Sequence, residues 1–597
     1  MINKILVANR GEIAVRIMRT AKELGIRTVA VYSDQDRDAY HVRYADEAYS
    51  LGGLTSADSY LNTQAILNVI ETSGAQAVHP GYGFYSENAE FAQTLIEKGI
   101  IWIGPPPSAI EAMGDKISAR EVALQANVSM VPGTKNPIRD VSEIIAFGDE
   151  HGYPIAIKAA YGGGGRGMRV VNQASDAQEA FEGATREAIA YFGRPEAYLE
   201  KYLVRPRHVE VQIFGDSHGN YVYLGTRDCS VQRRHQKLIE EAPAPFMSPE
   251  VEHEMGLQAI AVARACGYTN AGTIEMLYVP ERDGNEATFY FLEMNTRLQV
   301  EHCVSEEITR RDFVAEQIRV ANGDALSFSQ EDIRVEGHSI ECRINAENTS
   351  NGFIPSPGRI TSLKMAQGPG VRFDGGYESR DEISQYYDNL LGKLIVWAPT
   401  RDEAIARLTR AIDETTISGI HHTLPAQKYM INHDAFTIGE HHTRWVEDNL
   451  DPTSWSNPEI DLGQNDTSTN SEEVLVPVEV NGKKFSVKMY LPEGTSSQGA
   501  SKAKSSSKKS RNNPASSKGT STSADGTICA PMQGTIVAVN VAIGDEVTKG
   551  QTICMLEAMK MENQIKADSD GKISDLLITS GDLVGVGDTL AIIEVAK

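Results

Sequence analysis

The sequence predicts a mixed α/β body over roughly its first three-quarters, followed by a small all-β barrel. Three observations predict it. Near the N-terminus, short apolar runs alternate with segments of helical periodicity, the pattern of βαβ units. Residues 534–560 and 571–597 align without a gap at an offset of 37, so the C-terminal segment is an internal repeat. Before it, residues 494–525 are rich in Ser, Lys and Gly and lack aliphatic periodicity, a composition that cannot bury a core.

The elements follow in order. KILVA (4–8) and TVAVYS (28–33) read as buried strands flanking a helix over 11–25. The turn between carries one glycine rather than G-x-G-x-x-G, which gives no support for a dinucleotide site. HPGYGFYSEN (79–88) is a loop by its Pro and Gly content. From about 116 to 330 the pattern stays mixed α/β, and residues 331–450 add strands and a helix around 401–413. SNPEIDLGQNDTSTNSEE (456–473) reads as irregular, and VLVPVEVNGKKFSVKMYLP (474–492) as a hairpin around Asn481–Gly482. The 494–525 tether holds six basic residues and has an rms reach of roughly 30 Å.

Whole-chain properties narrow the function. A chain of 597 residues holds several domains. A net charge of −24 disfavours a nucleic-acid partner. No apolar run approaches the roughly 18 residues of a membrane span. MINKILVANRGE enters a strand within three residues, leaving no room for a leader, and the six cysteines form no C-x-x-C pair. Both features predict a cytoplasmic protein without a zinc or disulfide framework.

In the repeat, Gly534/Gly571, Ile536/Ile573, Gly544/Gly581, Asp545/Asp582, Val547/Val584 and Lys560/Lys597 are among the identical pairs. Two similar all-β halves predict a pseudo-symmetric barrel in which each half covers the other's apolar face. Lys560 falls at the hairpin tip of the first half, in LEAMKMEN (556–563), between Met559 and Met561. An ordinary surface lysine needs neither a rigid tip nor a long tether.

The α/β body carries three chemistry-bearing stretches. YGGGGRGM (161–168) follows the strand PIAIK (154–158); it is either a phosphate-cradling loop or a flexible turn, and lacks the Gly-Lys-Ser/Thr of a P-loop. FLEMNTRLQVEH (291–302), read as extended, puts Glu293, Asn295, Arg297, Gln299 and Glu301 on one face and Leu292, Met294, Leu298 and Val300 on the other. That face is either merely solvated or a set of oxygen ligands for magnesium, with Glu275 of GTIEML (272–277) as a further carboxylate. RDCSVQRRHQKLIEEAPAP (227–245) is either a surface charge cluster or an anion site.

Together these stretches resemble the biotin carboxylases of the ATP-grasp class. The matches are ANRGEIAVR (8–16), HPGYGF (79–84), GDK (114–116), the glycine loop, EKYL (200–203), RHVEVQ (207–212), RRHQK with EEAPAP, EMNTRLQVEH, ECRINAE (341–347) and YDNLLGKLI (387–395), in order over about residues 1–450. EAMKMEN within the repeat resembles the biotinyl carrier domains of biotin-dependent carboxylases; lipoyl domains share the fold but usually show Asp-Lys-Ala at the tip. The whole resembles the fused α subunits of bacterial, actinobacterial-type acyl-CoA carboxylases.

The resemblance implies a Rossmann-like N-terminal domain (1–115), an ATP-grasp domain (116–330), an α+β C-terminal domain (331–450), a connector with the hairpin (451–493), the tether (494–525) and a biotinyl/lipoyl-type barrel-sandwich (526–597). It implies that Lys116, Lys158, Glu200, Lys201, Leu203, His208, Gln232, His235 and Glu275 bind ATP, with Gly164 and Gly165 in a lid over its phosphates. Glu275 and Glu293, with Asn295 beside them, would hold magnesium or manganese. Lys237, Arg297, Gln299, Val300 and Glu301 would surround bicarbonate, Glu301 acting as base, and Arg343 would face biotin held covalently at Lys560. Two departures stand out: Tyr161 before the lid and Tyr85 after HPGYGF.

The activity implied is ATP-dependent carboxylation of biotin through carboxyphosphate. A separate carboxyltransferase β subunit would pass the carboxyl group to acetyl-CoA or propionyl-CoA, in fatty-acid synthesis or acyl-CoA metabolism. A biotin protein ligase would load Lys560, and the holoenzyme would be multimeric. A non-catalytic carrier and a ligase joined to a lipoyl-type domain are the alternatives.

Overall fold

The computed structural model describes residues 1–134, 136–159, 168–192, 197–281, 286–456, 471–480, 483–492, 527–530, 534–558, 561–584 and 588–595. It divides into two compact units, Met1–Pro458 and Glu459–Lys597.

The first unit opens with a five-stranded parallel sheet, in spatial order Glu47–Ser50, Arg27–Tyr32, Lys4–Val7, Ala77–His79 and Ile101–Trp102. Its three central strands are short runs buried on both faces, as crossover helices such as Gly11–Glu23 and Thr63–Ser73 require, while the edge strand Glu47–Ser50 is only part-buried. The predicted helix over 11–25 ends two residues early. Tyr85 belongs to this packing: its ring stacks on Phe91 with centroids 4.0 Å apart, and its hydroxyl pairs with Thr63 Oγ1 at 2.7 Å. A tyrosine there extends the core of the N-terminal sheet.

A three-stranded sheet, Met168–Val171, Ile155–Ala159 and Ala197–Lys201, has its own small core around Ile144, Ile155, Ile157 and Leu199. The largest sheet has eight antiparallel strands in the order Thr288–Asn295, Asn270–Val279, Arg207–Gly215, Tyr221–Arg233, Gln236–Ala242, His338–Asn345, Leu390–Ala398 and Val371–Gly375. It runs without a break past residue 330, because Gln236–Ala242 pairs with His338–Asn345, Glu240 opposite Glu341.

Arg207–Gly215 shows why the site lies on this sheet. RHVEVQIFG alternates polar and apolar, yet all nine residues are buried. Val209, Val211 and Ile213 face a core with helix Pro249–Ala265, while His208, Glu210 and Gln212 are buried on the other side. A polar face removed from water must be paired internally.

In the second unit, Ser471–Val480 and Lys483–Pro492 form a ten-register antiparallel hairpin. The first strand starts within the segment expected to be irregular, so Ser471, Glu472 and Glu473 are ladder residues; Asn481 and Gly482 lie outside the described residues. The barrel confirms the 37-residue repeat strand for strand: Gly534–Val539 matches Gly571–Leu576, Glu546–Val547 matches Leu583–Val584, and Thr552–Ala558 matches Thr589–Val595. Each half lends its short strand to the other's sheet: Glu546–Val547 pairs with Gly571–Leu576, and Leu583–Val584 with Gly534–Val539.

Crossed hydrogen bonds repeat the symmetry. Gly544 N donates to Ile573 O at 2.8 Å, and Gly581 N to Ile536 O at 2.7 Å. Both glycines have φ near +100°, 98° and 99°, where a side chain would strain the turn. Thr527–Cys529 completes one sheet beside Thr589–Val595. Among the described residues no helix is long and apolar enough to cross a membrane. All six cysteines are free thiols.

Candidate active site

The polar face of the eight-stranded sheet gathers most of the residues singled out from sequence. Lys237 stands near the start of Gln236–Ala242, after a two-residue hairpin turn at Arg234 and His235. Both turn residues have positive φ, 48° and 66°, a conformation that ordinarily selects Asn or Gly. Lys237 Nζ then reaches three carboxylates: Glu210 Oε2 at 2.8 Å, Glu275 Oε1 at 3.0 Å and Glu301 Oε1 at 2.5 Å. Burial alone would lower its pKa; the negative charges around it raise it well above the ordinary lysine value.

Glu301 is the hinge of the arrangement. It stands immediately before helix His302–Thr309, and its carboxylate also accepts from Arg343 Nη2 at 2.9 Å. Burial would raise its pKa, but Lys237, Arg343 and Arg227 outweigh that and hold it well below the carboxylate range. Arg343 Nε is meanwhile bonded to Glu240 Oε1 at 2.5 Å. Three of the four groups expected to be catalytic, Lys237, Glu301 and Arg343, are thus one connected chain of charge-assisted bonds, while the fourth, Arg297, is held by Asn295 and Glu87.

Glu275 and Glu293 lie directly opposite one another on neighbouring strands. Glu275 Oε1 accepts from Asn295 Nδ2 and Gln299 Nε2, each at 2.9 Å, and its Oε2 lies 3.1 Å from His208 Nε2. Burial pushes its pKa up, and Lys237 with His208 brings it far below the ordinary value. Arg297 Nη2 donates to Asn295 Oδ1 at 2.9 Å and Nε to Glu87 Oε2 at 3.1 Å, so a residue of the N-terminal loop holds the arginine. Two carboxylates and an amide oxygen are hard donors of the kind magnesium takes, and Glu275 already holds one cation, Lys237, at 3.0 Å. The residues present fit such an ion.

The extended reading of 291–302 needs correction. The strand ends at Asn295, and residues 296–301 turn before the helix. Leu292, expected on the buried side, is exposed, while Met294 and Leu298 are buried. Gln299 and Glu301 nevertheless reach the site because the turn folds back over the sheet; Val300 O accepts from the buried Lys393 Nζ at 2.8 Å.

The nucleotide-side residues are less closely gathered. Lys158 pairs with Glu200 across adjacent strands, and Lys201 Nζ donates to Gly152 O at 2.8 Å. Leu203 is half-buried just after that strand, Gln232 is buried opposite Lys237, and His235 is exposed at the hairpin tip. Of Lys116 only the backbone is described, at the start of helix Lys116–Gln125. Tyr161, Gly164 and Gly165 lie outside the described residues, as does the 494–525 tether. In the barrel, Ala558 pairs with Met561; Met559 and Lys560, between them, are likewise outside the described residues.

Sequence reasoning missed Arg227, Glu210 and Glu240. Arg227, fully buried, donates to Glu210 Oε1 at 2.5 Å, Gln212 Oε1 at 2.8 Å, Gln299 Oε1 at 2.8 Å, Ser305 Oγ at 2.9 Å and Thr273 Oγ1 at 3.1 Å. It ties three strands and the helix behind Glu301 into one block. The signal was present in RHVEVQ, whose polar positions had to be paired if buried. Arg227→Met should cost about 3–5 kcal/mol, since it leaves Glu210 buried beside fewer positive charges. Chemical denaturation of the full chain reads this as a lowered midpoint, and an unchanged midpoint refutes it.

Comparison with known proteins shows the family. Family profiles match "Biotin carboxylase, N-terminal domain" over residues 1–110, "Carbamoyl-phosphate synthase L chain, ATP binding domain" over 115–329, "Biotin carboxylase C-terminal domain" over 341–448 and "Biotin-requiring enzyme" over 526–593. The chain is 45% identical to the biotin-dependent acyl-coenzyme A carboxylase alpha3 subunit of Mycobacterium leprae (strain TN), over 99% of this chain and 98% of that protein. It is 38% identical to the propionyl-CoA carboxylase alpha chain of Ruegeria pomeroyi, covering 99% of each. Among solved structures, the biotin carboxylase domain dimer of the Hydrogenobacter thermophilus 2-oxoglutarate carboxylase, in complex with MgADP, ADP and bicarbonate, superposes with a TM-score of 0.65 at 46% identity, over 75% of this chain and 97% of that one. The chain belongs to the family of biotin-dependent acyl-CoA carboxylase α subunits, ligases that fuse an ATP-grasp biotin carboxylase to a biotin carrier domain.

Proposed function

We propose that Lys237, Arg297, Gln299, Val300 and Glu301 form the bicarbonate site of this ATP-dependent biotin carboxylase, with Glu301 as general base and Arg343 on the biotin side. One observation carries the reading: the Glu301 carboxylate bridges Lys237 at 2.5 Å and Arg343 at 2.9 Å. A bicarbonate entering beside Lys237 and Arg297 takes over part of Lys237's bonding, and Glu301 accepts its proton. The resulting dianion attacks the γ-phosphoryl group, giving carboxyphosphate and ADP.

Lys116, Lys158, Glu200, Lys201, Leu203, His208, Gln232, His235 and Glu275 bind the nucleotide, with Gly164 and Gly165 over its phosphates. Glu275 and Glu293, with Asn295 beside them, hold magnesium, which when bound supplies positive charge for the transferring phosphoryl group. Arg343, cationic at every working pH, steadies negative charge that develops at the acceptor.

The acceptor is biotin attached at Lys560 by a biotin protein ligase; the paired strands flanking Met559 and Lys560 support a tip placement. A separate carboxyltransferase β subunit takes the carboxyl group on to acetyl-CoA or propionyl-CoA, in line with the acyl-CoA carboxylase relatives. Six free thiols support a cytoplasmic setting. Fixation of labelled bicarbonate by the isolated biotinylated chain, with and without ATP and magnesium, tests the reading; no ATP-dependent label, even with a β subunit added, rejects it.

Residues 494–525 act as the tether between the sites. Halving it should slow carboxyl transfer to the acyl-CoA by about tenfold or more once the shortened chain cannot span, with the KM for ATP unchanged. Equal transfer rates in stopped-flow assays speak against a tether role.

A further inference from the structure

Beside Arg343 lies a carboxyl group that the reaction has not used. Glu341 is fully buried, and neither of its oxygens has a hydrogen-bond partner. Directly across the ladder stands Glu240, also fully buried, whose Oε2 is unpartnered while Oε1 holds Arg343. Arg343 follows two residues on, on the same face as Glu341, and pairs in register with Lys393 on the next strand.

The charged and titratable groups around Glu341 are Glu240, Arg343, Lys393, Glu301 and Cys303. Lys393 is itself engaged by Val300 O, Glu12 and, beyond it, the register partner Asp374. Helices Arg401–Glu414 and Leu424–Ile431 pack on the opposite face, with Ile340, Ile344 and the buried Cys342 thiol.

A carboxylate without a single donor, in a site that excludes water, is costly; the neutral acid costs far less. A second carboxyl opposite it adds like-charge repulsion to the same effect. Burial is the largest influence, and it raises Glu341 well above the carboxylate range and Glu240 to about 7.

We propose that Glu341 is a positioning residue for biotin carboxylation: as a neutral acid it leaves Arg343 shared between Glu240 and Glu301, and its ionisation draws Arg343 along the sheet, away from Glu301. The inference rests on the proposed role of Arg343 at the biotin side. Glu341 makes no hydrogen bond to any of the proposed nucleotide residues, so its ionisation should act on the carboxylation rate and spare ATP binding.

The test is the pH profile of ATP-dependent biotin carboxylation by the full-length biotinylated chain, wild type against Glu341→Gln, from about pH 7 to about pH 10. Glutamine is a permanent neutral isostere. The variant should match wild type near neutrality and keep at least about threefold more of its activity at the alkaline end, with the KM for ATP unmoved. Superimposable profiles overturn the proposal.

Should the variant fail to fold, infrared spectroscopy of the wild type decides. A protonated-carboxyl band must persist at about pH 8, above the value of about 7 reached by Glu12, Glu240 and Glu347; its absence overturns the proposal. Arg343→Lys separates the two levels. A wild-type rate there condemns the underlying reading of Arg343, whereas a lost rate with an unchanged Glu341→Gln profile condemns only the positioning role.

Discussion

Glu301→Gln is expected to lower bicarbonate-dependent ATP hydrolysis by about 10²- to 10⁴-fold, the range over which a positioned base acts. The amide has the same shape but cannot take the bicarbonate proton. It also removes one negative charge from between two cations. The block should still fold, because Lys237 keeps Glu210 and Glu275 as partners and Arg343 keeps Glu240. ATP affinity, read by calorimetry, should stay within about threefold, since Glu301 bonds none of the proposed nucleotide residues other than through Lys237. Phosphate release that retains more than about a tenth of the wild-type rate would assign the proton to another group.

Lys560→Arg should remove biotinylation altogether, and with it all ATP-dependent label on the chain. Amide formation needs an amine that can shed a proton, and a guanidinium stays protonated at any working pH. The barrel should be unaffected: its stability comes from the crossed strands and from Ile536, Ile553, Leu556, Ile573, Leu590 and Ile593 in its interior. Mass spectrometry of the peptide containing residue 560 checks the first half of the expectation, and labelled bicarbonate the second. Carboxylation of free biotin by the variant should match wild type, so a loss there would mean that the substitution acts on the carboxylase rather than on the carrier. Label that survives in the variant would place the attachment elsewhere.

Legibility differed by region for a physical reason. The repeat at offset 37 was visible because each half must present the same apolar face and the same tight turn; Gly544 and Gly581 stand where φ near +100° admits little else. The parallel sheet was visible because strands covered on both faces read as apolar runs. Lys237, Glu275, Glu301 and Arg343 were found through ordered motifs, and the fold brings them within bonds of one another. By contrast, the alternation drawn through Glu293 to Glu301 failed beyond Asn295, where the ladder with Asn270–Val279 stops at the Thr273 pair and the chain turns away. Arg227 went unread because one of three arginines in RDCSVQRR is indistinguishable from a surface charge until its surroundings are known.

By itself the sequence determined the class of the body, the barrel and its symmetry, and the residue types able to hold phosphate, metal and anion. Those properties are local: periodicity, turn chemistry and composition act over a few residues. Tertiary structure decided which of those residues meet. Glu87 and Arg297, Glu240 and Glu341, Arg227 and Gln299 are separated by 72 to 210 positions; sheet register sets Glu240 opposite Glu341, and loops folded over the sheet bring the other two pairs together. Burial then settled their electrical state. The same carboxyl type is held ionised at Glu301 by Lys237 and Arg343, and driven toward neutrality at Glu341, where no donor reaches it. Charge in a protein interior depends on partners and on exclusion of water, and neither is written in a residue's identity.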